Sequence, residues 1–220
     1  MDQSLYVGGK SMRIAVVNEG STKSRNKDIM SIVSGMDFDE VLNLGMKDVE
    51  GEPDLSYMET ALIAALVLNL NAVDFVIGGC GTGQGFMNAV LQYPGVACGL
   101  LMDPAEAFLF ARVNAGNCIS LQLNKGYGGI GGDINVKYIL ENIFVDDFGQ
   151  GYPPHRKEIQ ISARKRLENL SIAAHRPMVE ILDVMDKGTL MNALNFPGIK
   201  EVVMSSPESE LKEKVLSLYA

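Results

Sequence analysis

Residues 73–89, VDFVIGGCGTGQGFMNA, decide how this chain is read. Val73, Phe75, Val76 and Ile77 make a short apolar run that suits a strand covered on both faces. Gly79, Gly81, Gly83 and Gly85 then predict a tight turn whose backbone N–H groups can approach a ligand closely. A helix starting near Gln84 aims its positive dipole end at the same place. Cys80 stands between that strand and that helix, a setting that favours the thiolate. An anion-stabilising loop beside an activated thiol can remove a proton and hold the resulting negative charge. The plainer reading is a common glycine turn with a small buried cysteine.

Other glycine-turn families fit less well. No Gly-Lys-Ser/Thr follows, which excludes a P-loop. The dinucleotide pattern needs glycine where Gln84 or Phe86 stands. A second glycine run, residues 124–132 (NKGYGGIGG), does match that spacing from Gly126 to Gly131. No strand ending in an acid follows it at the required distance, so it reads as a flexible connection. A nucleotide-dependent enzyme using this loop stays open as an alternative.

Working outward, the chain alternates strands and helices. Strands are expected at 13–17, 40–44, 73–78, 96–102 and 117–123, and helices at 23–34, 57–71, 84–92, 105–113 and 133–145. This alternation predicts a doubly wound α/β domain with a parallel five-stranded sheet, flavodoxin- or Rossmann-like, with flavodoxin order as the first expectation. The turn after the first strand, Asn18-Glu19-Gly20-Ser21-Thr22, then shares a crevice with the Cys80 loop. Asp103-Pro104 supplies an N-cap and a first-turn proline. After residues 150–154 the composition shifts. His155-Arg156-Lys157 and Arg164-Lys165-Arg166 concentrate basic charge in an otherwise acidic chain. Helices are expected at 157–174 and 178–185, a turn at 195–198, and a last helix capped from Ser205 or Ser206. Three segments follow: a leader at 1–11, the α/β domain at 12–156, and a helical extension at 157–220 that packs on the domain or on a partner subunit.

Composition sets the bounds. The 220 residues are 47% apolar and 21% charged, as in an ordinary globular protein. The formal charge of −8 argues against nucleic acid or an anionic membrane as partner, and leaves a small anion open. Three cysteines without a CxxC pair suggest free thiols in a reducing compartment. No apolar run reaches membrane-spanning length, and cytoplasmic location is the expectation. Two histidines are too few for a histidine-based metal site.

The order Cys-Gly-Thr-Gly-x-Gly after an apolar strand resembles the family of ribose-5-phosphate isomerase B and the galactose-6-phosphate isomerase subunits. Arg13-Ile-Ala-Val-Val17, Asn43-Leu-Gly45, Pro53-Asp54, Asp103-Pro104, and Asn114 with Asn117 add to the likeness over residues 12–160. The resemblance implies aldose–ketose isomerisation of a pentose or hexose phosphate through a cis-enediolate. It implies Cys80 as the base, with Thr82 relaying protons. The amides around Gly81, Gly83 and Gly85 become the oxyanion hole, and Asn114 contacts a sugar hydroxyl. It further implies Asn18 as a substrate contact, Glu19 as the carboxylate, and His155 with Arg156 at the phosphate. No metal or organic cofactor is needed, and a homodimer or homotetramer with sites completed across an interface is expected.

Two family histidines are missing. Gly20 stands where one is expected and Val113 where the other, which opens the sugar ring, is expected. An open-chain substrate, or a non-catalytic sugar-phosphate-binding relative, is therefore a further expectation.

Overall fold

The computed structural model describes residues 12–125, 127 and 131–219. The expected leader at 1–11 and residues 126 and 128–130 of the second glycine run lie outside these residues. Five strands form one all-parallel sheet: β1 (Arg13–Asn18), β2 (Glu40–Asn43), β3 (Phe75–Cys80), β4 (Cys98–Leu101) and β5 (Cys118–Gln122). The helices are α1 (Asn26–Val33), α2 (Tyr57–Asn69), α3 (Gln84–Val90), α4 (Pro104–Leu109) and α5 (Gly132–Ile143). They continue as α6 (Lys157–Ala174), α7 (Met178–Val184), α8 (Lys187–Leu194), α9 (Ile199–Ser205) and α10 (Glu210–Ser217).

Both sheet faces are apolar, and the two-residue strand period divides them. Ile14, Val16, Phe75, Ile77, Ile119 and Leu121 face one core with α1, α4 and α5. Ala15, Val17, Val76 and Cys118 face the other with α2 and α3. This is the doubly wound α/β class expected from the strand–helix alternation.

The strand order is β2-β1-β3-β5-β4, which differs from flavodoxin order by exchanging the last two strands. Burial agrees with the exchange. Four of the five β5 residues are buried, whereas β4 is half-exposed for three of its four. β5 is the interior strand and β4 the edge. The exchange leaves the site region untouched, because β1 and β3 remain neighbours and the chain departs to opposite sides from them.

Apolar residues all round α2 fit its position between the sheet and the C-terminal helices, with 59–69 buried throughout. Ser56 and Glu59 close its N-terminus as a capping box, Glu59 accepting from Ser56 N at 2.9 Å. On the outer side of α2 lie Leu190, Leu194, Phe196 and Ile199, so α7–α10 extend the domain's own core. Two of these helices, α8 and α9, are additional to the sequence expectation. The last helix is capped by Ser209, whose side chain accepts from Lys212 N, and not by Ser205 or Ser206. Ser205 instead ends α9, and Ser206 is buried against Val203 O. α6 differs from its neighbours in that none of its 18 residues is buried. No helix among the described residues is long and apolar enough to cross a membrane.

Candidate active site

Cys80 ends β3, and β3 ends where two chain departures leave a crevice. The two glycines before it let neighbours approach. A Cβ at Gly78 would fall 2.1 Å from Phe86 Cζ, so α3 can fold back onto its own strand only because residue 78 has none. Past Cys80 the chain turns at Gly83, whose φ of +74° makes it the left-handed N-cap of α3. α3 begins at Gln84, as the sequence predicts. Cys80 itself is 6% exposed.

Across the crevice the β1 end delivers Glu19, a buried carboxylate at 8% exposure. Each of its oxygens is held. Oε2 accepts from Ser21 N at 2.8 Å and Oε1 from Ser21 Oγ at 2.5 Å. Oε1 also accepts from Gly81 N at 3.3 Å, which ties the β1 loop to the thiol loop. Asn124, just past β5, closes the third side by donating to Ser21 O at 3.1 Å. Tyr57, the first residue of α2, lays its ring 3.2 Å from where a Cβ on Gly85 would stand. Glu19, Ser21, Cys80, the 81–85 loop, Tyr57 and Asn124 thus form one constellation at the carboxyl ends of β1, β3 and β5.

Within the loop the amides divide. Gly81 N–H is taken by Glu19, Gly83 N–H by Cys80 O at 3.2 Å, and Gln84 N–H by Thr82 Oγ1 at 3.4 Å. Among the described residues the amides of Thr82 and Gly85 have no acceptor, and these two are the loop's open donors. The arrangement suits a developing oxyanion beside a thiol, with a carboxylate within one residue of it.

The other sequence candidates lie elsewhere. Asn18 is buried and fully used: it donates to Met46 O at 3.1 Å and Thr22 O at 3.3 Å, and accepts from Asn26 at 2.7 Å. It braces the β1 end. Asn114 closes a wide helical turn, Phe110–Asn114, that leads into the start of β5. Cys80 pairs with Gln122 at the far end of that strand. β5 alone spans about 13 Å at ~3.3 Å per residue, so within one chain Asn114 and Cys80 are at opposite ends of the sheet. His155 and Arg156 occupy an exposed turn, Pro154–Arg156, that leads into α6. That segment is tied to the Asn114 side, where Gly149 N and Gly151 N donate to Ala111 O and Arg112 O.

Asn114 and Val113 line a cavity of about 430 Å³ between the domain and α6, together with Cys98, Arg164, Leu167 and His175. Arg164 donates to Val113 O at 2.9 Å, and the His175 ring nitrogens meet Ser171 and Leu91 O. Among the described residues no group of three or more histidine, cysteine, aspartate or glutamate side chains is placed to hold a metal ion.

Ser21, Tyr57 and Asn124 are the members of the constellation that sequence reasoning did not single out. Ser21 lay within a recognised turn, two residues from Glu19. Asn124 opened the second glycine run, and nothing local marked it as facing the first loop.

A family profile described as Ribose/Galactose Isomerase matches residues 14–159. No curated protein matches the chain. Among solved structures, a 4-deoxy-L-threo-5-hexosulose-uronate ketol-isomerase complexed with a tartrate is 34% identical, with a TM-score of 0.88 over 94% of this chain and 98% of that one. A ribose-5-phosphate isomerase from Vibrio parahaemolyticus is 36% identical, with a TM-score of 0.88 over 94% and 99%. The type B ribose 5-phosphate isomerase of Leishmania infantum shares the fold at 16% identity, with a TM-score of 0.61 over 74% of this chain and 99% of that one.

Proposed function

The chain belongs to the ribose/galactose isomerase family, and from that premise we propose that it interconverts an aldose and a ketose through a cis-enediolate with Cys80 as the base. The observation that carries the reading is the thiol at the β3 terminus with the Glu19 carboxylate hydrogen-bonded to the next residue. Cys80 takes the proton from C2 and returns it to C1. The open amides of Thr82 and Gly85 meet the enediolate oxygen, and no redox partner is consumed.

The substrate is an acidic sugar, either a sugar phosphate or a hexuronate. The phosphate reading rests on the family and on His155 and Arg156. The uronate reading gains from the similar ketol-isomerase, covered along 98% of its length, that is named for a 5-hexosulose-uronate. A ketone at C5 leaves no C5 hydroxyl to close a six-membered ring on C1. That chemistry suits a chain with Val113 where the ring-opening histidine is expected.

The site works as a pair of subunits. Asn114, His155 and Arg156 stand at the opposite end of the sheet from Cys80, so a second copy is the source of a group that meets the first copy's thiol. α6 supports this assembly, because Leu167, Leu170 and Ile172 are exposed on it.

The test is solvent deuterium exchange watched by proton NMR over a panel of pentose phosphates, hexose phosphates and keto-uronates. Exchange at C1 or C2 of one substrate, lost in Cys80→Ala, is the expected result. Exchange that survives the substitution moves the base elsewhere. Binding without exchange in the native protein favours the non-catalytic binding relative.

A further inference from the structure

Moving a carbonyl from C1 to C2 needs two kinds of proton transfer. One is on carbon, and Cys80 serves it. The other is between the two oxygens, and a hydroxyl with a carboxylate behind it can serve it. Two hydroxyls border the thiol loop. Thr82 Oγ1 accepts from Gln84 N at 3.4 Å, a contact within the turn, with no carboxylate partner among the described residues. Ser21 Oγ donates to Glu19 Oε1 at 2.5 Å.

Position separates them further. Glu19 is buried, while Ser21 is exposed beside it, so the serine hydroxyl is the outward end of the carboxylate. Ser21 Oγ stands 3.4 Å from where a Cβ on Gly81 would be, next to Cys80. Asn124 Nδ2 fixes it from the other side, 3.1 Å from Ser21 O and 3.4 Å from Oγ. Residue 20 is a glycine in this chain and brings no side chain to the site.

We propose that Ser21 is a catalytic proton relay of this isomerase, exchanging the hydroxyl protons of the enediolate with buried Glu19, while Asn124 positions it. This rests on the isomerase reading above. The C2 hydroxyl gives its proton to Ser21 Oγ as Ser21 passes its own to Glu19 Oε1. The reverse transfer delivers a proton through Ser21 to the former carbonyl oxygen on C1. Cys80 meanwhile carries the carbon proton from C2 to C1. Serine, glutamate and thiolate all finish as they began, and no co-reactant is needed.

The experiment uses Ser21→Ala and Ser21→Thr with the substrate found in the exchange panel. Three quantities are read: kcat, KM, and the ratio of solvent deuterium in recovered substrate to product formed. Ser21→Ala is expected to lower kcat about 100-fold, the scale of a lost acid–base group, with KM changed less than about threefold. The deuterium ratio rises, because an enediolate that cannot shift its oxygen proton returns to substrate. Ser21→Thr keeps the hydroxyl and restores both quantities. A wild-type kcat in Ser21→Ala overturns the proposal. So does a slowed rate with an unchanged ratio, which is what a merely structural serine gives, and so does a loss that threonine leaves unrepaired. No exchange by the native protein across the panel removes the isomerase reading and this inference together. Native exchange left untouched by Ser21→Ala removes this inference alone.

Discussion

At the residue scale, the thiols separate by environment. Cys80 ends β3 beside the Glu19 turn and is 6% exposed, whereas Cys118 opens β5 and has no exposure. Burial, and then the neighbouring Cys98 thiol, pushes the Cys118 thiol well above its ordinary range. A protonated thiol is a poor nucleophile, so iodoacetamide at neutral pH should leave Cys118 unmodified in the native protein. Peptide mass spectrometry of the alkylated protein checks this, and early labelling of Cys118 contradicts it. Cys80→Ala should abolish turnover while lowering stability by only about 1 kcal/mol, since one sulfur leaves a small void. A chemical denaturation midpoint close to that of the native protein is the measurement that separates the two effects. Asn18 makes the complementary point. Its polarity and its place beside Glu19 suggest a ligand contact, yet all its hydrogen-bonding groups hold the scaffold.

At the scale of elements, the β3–α3 unit depends on missing side chains. Phe86 fills the space over Gly78, and Leu121 O crowds Gly79, where a Cβ would stand 2.6 Å away. Gly78→Ala forces α3 off the strand and should cost about 1–3 kcal/mol through overpacking. Thermal melting reads the loss, and a melting temperature equal to the native value would refute the packing argument. The start of the sheet carries an electrostatic clamp. Arg13 donates to Asp74 Oδ1 at 2.7 Å and Oδ2 at 3.1 Å, joining β1 to the entry of β3. Burial raises the Asp74 carboxyl, but the Arg13 hydrogen bonds and charge outweigh it and hold it below the usual range. A carboxyl depressed in the folded state contributes stability that is present above its unfolded value, near pH 4. That contribution is lost as pH falls through the lower folded value. Both side chains are about a third exposed, so solvent screens the pair and the effect is modest. Asp74→Asn should therefore flatten the acid limb of the stability curve below about pH 4, and it should be no less stable than the parent once that limb is passed. Urea midpoints across that range test the sign.

At the scale of the whole molecule, one chain does not bring its candidate groups together. The thiol constellation lies at the carboxyl ends of the strands, and Asn114 with the basic turn lies at the other end. α6 stands out from the domain with apolar side chains in solvent, Leu170 at 62% and Ile172 at 73% exposed. Exposed leucine and isoleucine at this density suit a covered face. Leu170→Glu should shift the protein toward monomer in sedimentation and lower activity with it. Mixing Cys80→Ala with Asn114→Ala, each inactive alone, should recover about a quarter of native activity, because random two-fold pairing makes half the molecules mixed, with one intact site of two. Recovery of nothing would place both groups in the same chain's site.

Residues 73–89 alone determined the strand, the turn, the helix start at Gln84 and the thiol between them, because glycine spacing and apolar runs are local properties. The same local logic reached the parallel sheet, the pairing of the Glu19 turn with the Cys80 loop, and the helix over 157–174. It did not reach the exchange of β4 and β5, since parallel strand order is set by how the crossovers pack across the sheet. The short helices α8 and α9 were equally hidden, because at eight and seven residues they depend on packing against α2, even though Asp186 caps α8. Ser21 and Asn124 meet from 103 residues apart, and Asn114 and Cys80 are parted by the length of β5. Such meetings and partings follow from how the chain crosses the sheet, which no run of neighbouring residues encodes.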